Sequence, residues 1–182
     1  AGGVGMTQVV IQPSYGLPRF RRHWADTLDQ PVPFTEQRYA SALGPAERRA
    51  LHALHPTGTA HFWGTTAKHD RRMCRLETGD VVLLTGRKHV LAVGEVGLSF
   101  RNPAFAEALW RPDPAACSWD NVYSLLDLLQ VRIPYEAVWA LPGFNPGDNF
   151  MGLRFLDRQK GEAVLSGLRI TTGTAGPGLA VA

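Results

Sequence analysis

His61-Phe62-Trp63-Gly64-Thr65-Thr66 opens, and Ser118-Trp119-Asp120-Asn121 closes, the stretch around which the rest of this chain is organised. Within it, Leu76-Glu77-Thr78-Gly79-Asp80-Val81-Val82-Leu83-Leu84 and the run Val90 to Val96 read as two strands. Gly79-Asp80 is a turn that launches Val81 to Thr85, and Gly86-Arg87-Lys88 is a hairpin connection into the second strand. Both strands are nearly continuous in apolar residues, which predicts burial on two faces, as in a small closed barrel. Trp63, Trp110 and Trp119, three of the five tryptophans, stand at the edges of this unit. A site is expected there.

Upstream, Ala1-Gly2-Gly3-Val4-Gly5 reads as a cloning remnant ahead of a native start at Met6. Thr7 to Gln12 is a short β-branched strand stopped by Pro13 and turned by Tyr15-Gly16. Residues 18 to 34, with Arg19, Arg21, Arg22, His23 and Trp24 and the prolines Pro18, Pro31 and Pro33, read as an irregular arm that packs Trp24 and Phe34 onto the domain. Gly44-Pro45-Ala46-Glu47 starts a helix with Pro early and Glu in the first turn. Leu43, Ala46, Ala50, Leu51 and Leu54 keep helical spacing until Pro56 and Gly58 end it.

Downstream, Asn102-Pro103 is an N-cap followed by Pro at the first helical position, predicting a helix from Pro103 to Trp110 that Arg111-Pro112-Asp113-Pro114 breaks. Trp119 to Leu126 reads as a strand, Val131 to Pro134 as an edge segment and Ala137 to Leu141 as a brief turn of structure. Asn145-Pro146-Gly147-Asp148-Asn149 is a loop dense in turn formers. A last helix is expected over Arg158 to Leu168, and the Gly- and Thr-rich tail from Thr171 to Ala182 is expected to fray.

The 182 residues, 45% hydrophobic and 19% charged, suit one domain with an N-terminal extension. The expected division is 6–58 for the N-terminal strand, arm and helix, 59–168 for the main domain and 169–182 for a flexible tail. Cys74 and Cys117 lie far apart without a CxxC spacing, and neither a signal peptide nor a membrane-spanning apolar run is present, so a cytoplasmic protein without a membrane partner is expected. The formal charge is +3. Between His61 and Arg101 seven basic residues face four acidic ones, so this segment alone accounts for a charge of that size. Such clustering suits phosphate contact, and it equally suits a solvated basic surface.

Taken together, Trp63-Gly64, Leu76-x-x-Gly79-Asp80-x-Val82-Leu83, Gly94-x-Val96, Asn102-x-x-Phe105-Ala106-Glu107-x-Leu109-Trp110, Trp119-x-x-Val122-Tyr123 and Ile133-Pro134-Tyr135 form a pattern. It resembles the EVE/YTH-type branch of the PUA-like fold. The likeness is greatest to the modified-DNA-reading domains of prokaryotic methylation-dependent restriction endonucleases of the HNH and McrB types, and it covers about residues 59 to 168. The resemblance implies an α+β fold, a small mixed β-barrel flanked by helices, whose aromatic pocket takes a methylated base flipped out of double-stranded DNA. 5-Methylcytosine is the first expectation and N6-methyladenine the second.

On that likeness Trp63 and Trp110 are the pocket aromatics, with Gly64, Thr65 and Thr66 placed for contacts to the base edge. Trp119 and Tyr123 are further wall residues, and Asn149 belongs to a polar loop near the pocket. Lys68, Arg71, Arg72, Arg87, Lys88, Arg101 and Arg154 are expected along the nucleic-acid backbone. Flipping costs a few kcal/mol of unstacking, which indole faces and edge hydrogen bonds can offset. Burying a methyl-sized group adds only about 1 kcal/mol, so phosphate contacts must supply most of the affinity. Read by themselves, the tryptophans have a core role as the rival reading, which is the favoured one for Trp119, and the loop residues can serve turn formation alone.

No His or carboxylate cluster suited to holding a metal for hydrolysis is recognisable, and the spacing of His61, His69, Cys74 and Cys117 matches no zinc pattern. A reading domain without cofactor, metal or catalytic residues is therefore expected, its nuclease lying in a fused region or a separate partner. The alternative is an RNA-directed protein of the PUA/ASCH kind, either a modified-RNA binder or a small nucleotide hydrolase.

Overall fold

The computed structural model describes residues 7–111 and 119–182. The supposed cloning remnant of residues 1–5, the break at residues 112–114 and Cys117 lie outside them. In chain order the elements are β1 (Val9–Pro13), α1 (Pro18–Thr27), α2 (Gln37–Ala40), α3 (Pro45–Leu54), β2 (His61–Thr65) and, after a 3-10 turn at Ala67–His69, α4 (Asp70–Met73). There follow β3 (Val81–Gly86), β4 (His89–Arg101), α5 (Pro103–Leu109), β5 (Asn121–Pro134), α6 (Tyr135–Trp139), β6 (Arg154–Phe155) and α7 (Arg158–Gly167).

The architecture is α+β, built on a six-stranded mixed sheet in the order β2-β5-β4-β3-β1-β6. The sheet is open, which corrects the expectation of a closed barrel. Its outer strands are β2 and β6, and β6 has only two residues, too few to carry a ladder round to the other edge. β3 and β4 both lie inside the sheet, where β1 pairs with β3 in parallel from Val9↔Val81 to Pro13↔Thr85.

Two compact units divide the chain, and they interleave in sequence. The first comprises the described parts of Ala1–Gly16, Gly79–Glu95 and Leu128–Ala182, the second those of Leu17–Thr78 and Val96–Asp127. In the first unit, Val9, Ile11, Val81 and Leu83 stand on one face of the sheet because the side-chain period of a strand is two. They bury against Val138 of α6 and Val164 of α7. The β3–β4 hairpin turns at Arg87 (φ 51°) and Lys88 (φ 60°), two successive left-handed residues as a type I′ connection requires.

The tail also departs from expectation. Rather than fraying, it is held by the buried carboxylate of Glu95, which accepts from Gly173 N and Thr174 N, both at 2.9 Å, and from the Thr174 hydroxyl. Thr171 and Ala180 bridge, and Leu179 is buried. A buried charge needs such donors, and this segment supplies them.

In the second unit the first part of the supposed irregular arm, Pro18–Thr27, is the helix α1, while Trp24 and Phe34 are buried as expected. Pro18 fits its first turn, and Phe20, Trp24 and Leu28 recur at near-helical spacing, with Trp24 and Leu28 buried. Both α3 and α5 form where the sequence predicts them. Glu47 accepts from Gly44 N at 2.8 Å, and Asn102 Oδ1 caps α5 by accepting from Phe105 N at 2.9 Å.

Candidate functional site

Aromatic rings of the second unit converge on Trp63. Its strand β2 pairs antiparallel with β5, placing Trp63 opposite Tyr123 and Thr65 opposite Asn121, so these four share one face of the pair. The Trp63 ring meets Trp119 at 4.9 Å between centroids, Trp24 at 6.0 Å and Trp110 at 6.3 Å, each edge to face. His23 of α1 lies edge-on to Trp119 at 4.5 Å and stacks on Trp110 at 5.4 Å with planes 29° apart. Quadrupole geometry favours such tilted contacts.

The cluster is closed on itself. Trp63 has 0% exposure and Trp119, the outermost of the three indoles singled out from the sequence, 8%. Tyr123 is buried too, and burial pushes its phenol well above the usual range. Gly64 is needed for close approach: a Cβ there would strike the carbonyl of Asn121 and come within 3.2 Å of the Trp110 ring. Trp110 Nε1 donates to the Thr27 hydroxyl at 3.2 Å, which in turn donates to Phe62 O at 2.7 Å.

Not every polar atom here has a partner. Among the described residues, four buried side-chain atoms lack one: His23 Nδ1, Trp63 Nε1, Thr65 Oγ1 and Thr85 Oγ1. The first three belong to this aromatic cluster or to its strand. Buried donors and acceptors are normally satisfied, and leaving one unpaired costs about 1–3 kcal/mol. Two on the cluster and one on its strand leave hydrogen-bonding capacity unused there. His23 does not offset the deficit by charging, since burial, reinforced by Arg22 and Arg19, lowers its pKa to about 4.

Next to the cluster, Asn121 Nδ2 donates to Thr66 O at 3.2 Å and to Asp70 Oδ1 at 2.7 Å. Arg101 Nε reaches Asp70 Oδ2 at 3.3 Å and its Nη2 reaches Asp120 Oδ2 at 3.0 Å. These bonds tie the turn bearing Lys68, Arg71 and Arg72 to the start of β5. All three cations are exposed. Lys68 and Arg72 assist burial, the larger cause, in lowering the pKa of His69.

The sequence-selected residues are thus split. Trp63, Gly64, Thr65, Thr66, Trp110, Trp119 and Tyr123 fall in the second unit, with Lys68, Arg71, Arg72 and Arg101; Asn149, Arg87, Lys88 and Arg154 fall in the first. Arg87 and Lys88 form the exposed hairpin tip. Arg154 is a structural ion pair, donating through Nη1 and Nη2 to both oxygens of Asp148 at 2.6 and 2.8 Å. That pair holds the Asp148 carboxyl below its ordinary value and fixes the loop carrying the exposed Asn149. The sequence reading missed His23 and Thr27, which an irregular arm leaves without a face; the helical recurrence of Phe20, Trp24 and Leu28 was the signal for them. No three His, Cys, Asp or Glu side chains group as metal ligands among the described residues, and none of the helices there is long and apolar enough to cross a membrane.

This open mixed sheet with its helices has a counterpart among solved structures. Specifically, it is similar to the N-terminal domain of Thermococcus gammatolerans McrB, whose structure was solved bound to m5C DNA. The two share a TM-score of 0.65 and 15% identity over 90% of this chain and 98% of that one. Comparisons with family models and with curated proteins find no match.

Proposed function

We propose that this chain is a reading module for methylated double-stranded DNA, 5-methylcytosine first and N6-methyladenine second, that directs a nuclease carried by a fused region or a partner. The fold it shares with a domain bound to m5C DNA supports this. The observation that carries it to particular residues is the set of unpaired atoms on the indole cluster, above all Trp63 Nε1. A flipped cytosine offers acceptors on its Watson–Crick edge and a π-face for stacking, which is what an indole N–H without an acceptor and tightly grouped rings can use.

Trp119, the outermost of those three indoles, is the ring that moves. Swinging it from Trp63 and Trp110 makes room for the base, a side-chain change of the kind common on binding. Thr65, on the same face as Trp63, then contacts the base edge. Lys68, Arg71 and Arg72, on the turn held by Asp70 and Asn121, contact phosphates and supply the affinity that one methyl group cannot. In this assignment the domain reads and does not cleave.

The test is competitive titration with duplexes that are identical except for 5-methylcytosine, N6-methyladenine or no methyl group, alongside matched RNA. Preference for a methylated duplex supports the proposal; equal binding to all of them removes it. Preference for RNA would favour the PUA/ASCH alternative.

A further inference from the structure

Beyond the indole cluster, α1, α2 and the end of α5 enclose an open cleft of about 440 Å³ whose lining includes Arg22, His23, Asp26, Arg38, Tyr39 and Arg111. Three guanidinium groups and one carboxylate leave this lining with two net positive charges. None of the three arginines belongs to the basic segment between His61 and Arg101. Arg22, His23 and Asp26 come from α1, Arg38 from α2 and Arg111 from just beyond α5.

We propose that this cleft is a phosphate-binding subsite that grips the backbone of the DNA strand carrying the flipped nucleotide. The inference rests on the reading of the chain as a DNA binder, but it does not need the base to be methylated. His23 carries the spatial argument, since it lines the cleft and also stacks on Trp110 and abuts Trp119. A nucleotide whose base reaches those indoles has its own phosphates within one nucleotide's span of the arginines.

The chemistry of the lining fits a phosphodiester. Guanidinium groups present forked donors matched to phosphate oxygens. Arg38 lies over the Tyr39 ring at 4.5 Å, which orients its fork, and its exposed pairing with Glu36, at 3.6 Å, is weak enough to exchange for a phosphate. The neutral imidazole of His23 and the Tyr39 ring offer apolar surface to a sugar. Asp26 holds the net charge to a level that suits a monoanionic diester.

The experiment uses the full chain, with Arg22→Gln and Arg38→Gln as separate variants and thermal melting as a check that each folds. Both positions are exposed, so the fold is expected to survive. Each variant is titrated with methylated and unmethylated duplexes over a range of salt, and with methylated duplexes carrying one neutral methylphosphonate at successive positions around the modified base. The expected result is a loss of about three- to tenfold for both duplexes alike, with the salt slope reduced by about one. One methylphosphonate position should weaken the wild type but not weaken Arg38→Gln further, because the two changes remove the same interaction.

Wild-type affinity in both variants, or purely additive penalties with the methylphosphonates, would overturn the inference. So would displacement of the duplex by micromolar inorganic phosphate, which would make the cleft a site for a free anion. Equal wild-type binding to methylated and unmethylated DNA would remove the methyl-reading proposal alone, and the arginine comparison would still decide the cleft. A wild type that binds neither duplex removes both.

Discussion

Trp63 and Trp119 meet edge to face at 4.9 Å between ring centroids, and the Nε1 of Trp63 has no acceptor there. A buried donor without a partner costs stability, so its part in the core and its proposed part in binding can be separated by substitution.

Trp63→Phe separates those roles. The aromatic face stays and the N–H goes, so relief of an unpaired donor offsets part of the small void left behind. Thermal and urea unfolding should show a change of no more than about 1–2 kcal/mol, while affinity for the methylated duplex falls several-fold. Trp63→Ala, by contrast, should cost about 3–5 kcal/mol of stability, so its loss of binding would say little. Undiminished affinity in Trp63→Phe would remove the N–H from the proposed base contact.

Charge reversal at Arg71 and Arg72 should weaken methylated and unmethylated duplexes equally and flatten the salt dependence, by a slope of about 0.9 for each phosphate that is no longer neutralised. A change confined to the methylated duplex would move these arginines from the backbone to the base.

Acid should destabilise the second unit through His23. Its pKa is about 4 in the folded protein against an ordinary value of 6.5, so as pH falls the unfolded chain takes up the proton first. Stability is complete above about pH 6.5 and declines toward pH 4. The Arg154–Asp148 pair acts lower still, its carboxyl being protonated only below the ordinary Asp range. His23→Gln should show a flatter dependence of unfolding free energy on pH between 6.5 and 4. A parallel pair of curves would refute the assignment.

Glu95→Gln should release the tail. The carboxylate accepts two backbone N–H bonds and one hydroxyl bond, and charge-assisted bonds contribute about 1.5–3 kcal/mol each. Limited proteolysis should cut after residue 170 much faster in the variant, with a lower urea midpoint.

At the hairpin tip, Arg87→Asn with Lys88→Gly should raise stability, since left-handed backbone costs a residue with a side chain roughly 1–2 kcal/mol and Asn-Gly suits a type I′ turn. The same pair tests their proposed role on DNA, since a more stable protein that binds duplex less well would place them at the backbone.

Local signals carried much of this fold. The caps of α3 and α5 and the turns flanking β3 depend on residues close in sequence, and each formed where expected. What escaped depends on distant partners. The parallel pairing of β1 with β3 joins residues 72 apart, as Val9↔Val81 shows, and no local pattern announces it. In α1 the apolar recurrence is only three residues deep beneath a run of arginines, and it becomes a face only where Trp63 and Trp110 cover it. The tail offered nothing but glycine and threonine, and its order derives from a carboxylate some 80 positions earlier. For the site, tryptophan identity was legible, but its enclosure was not, because His23 and Trp24 arrive from that overlooked helix.

Because each unit is assembled from separated stretches, with β4 and β5 contributing to both, no single cut of the polypeptide yields either one. A shortened version beginning at residue 59 would discard α1, and with it His23, the support beneath the indoles and two of the three cleft arginines. Any shortened form should therefore keep the N-terminal third intact.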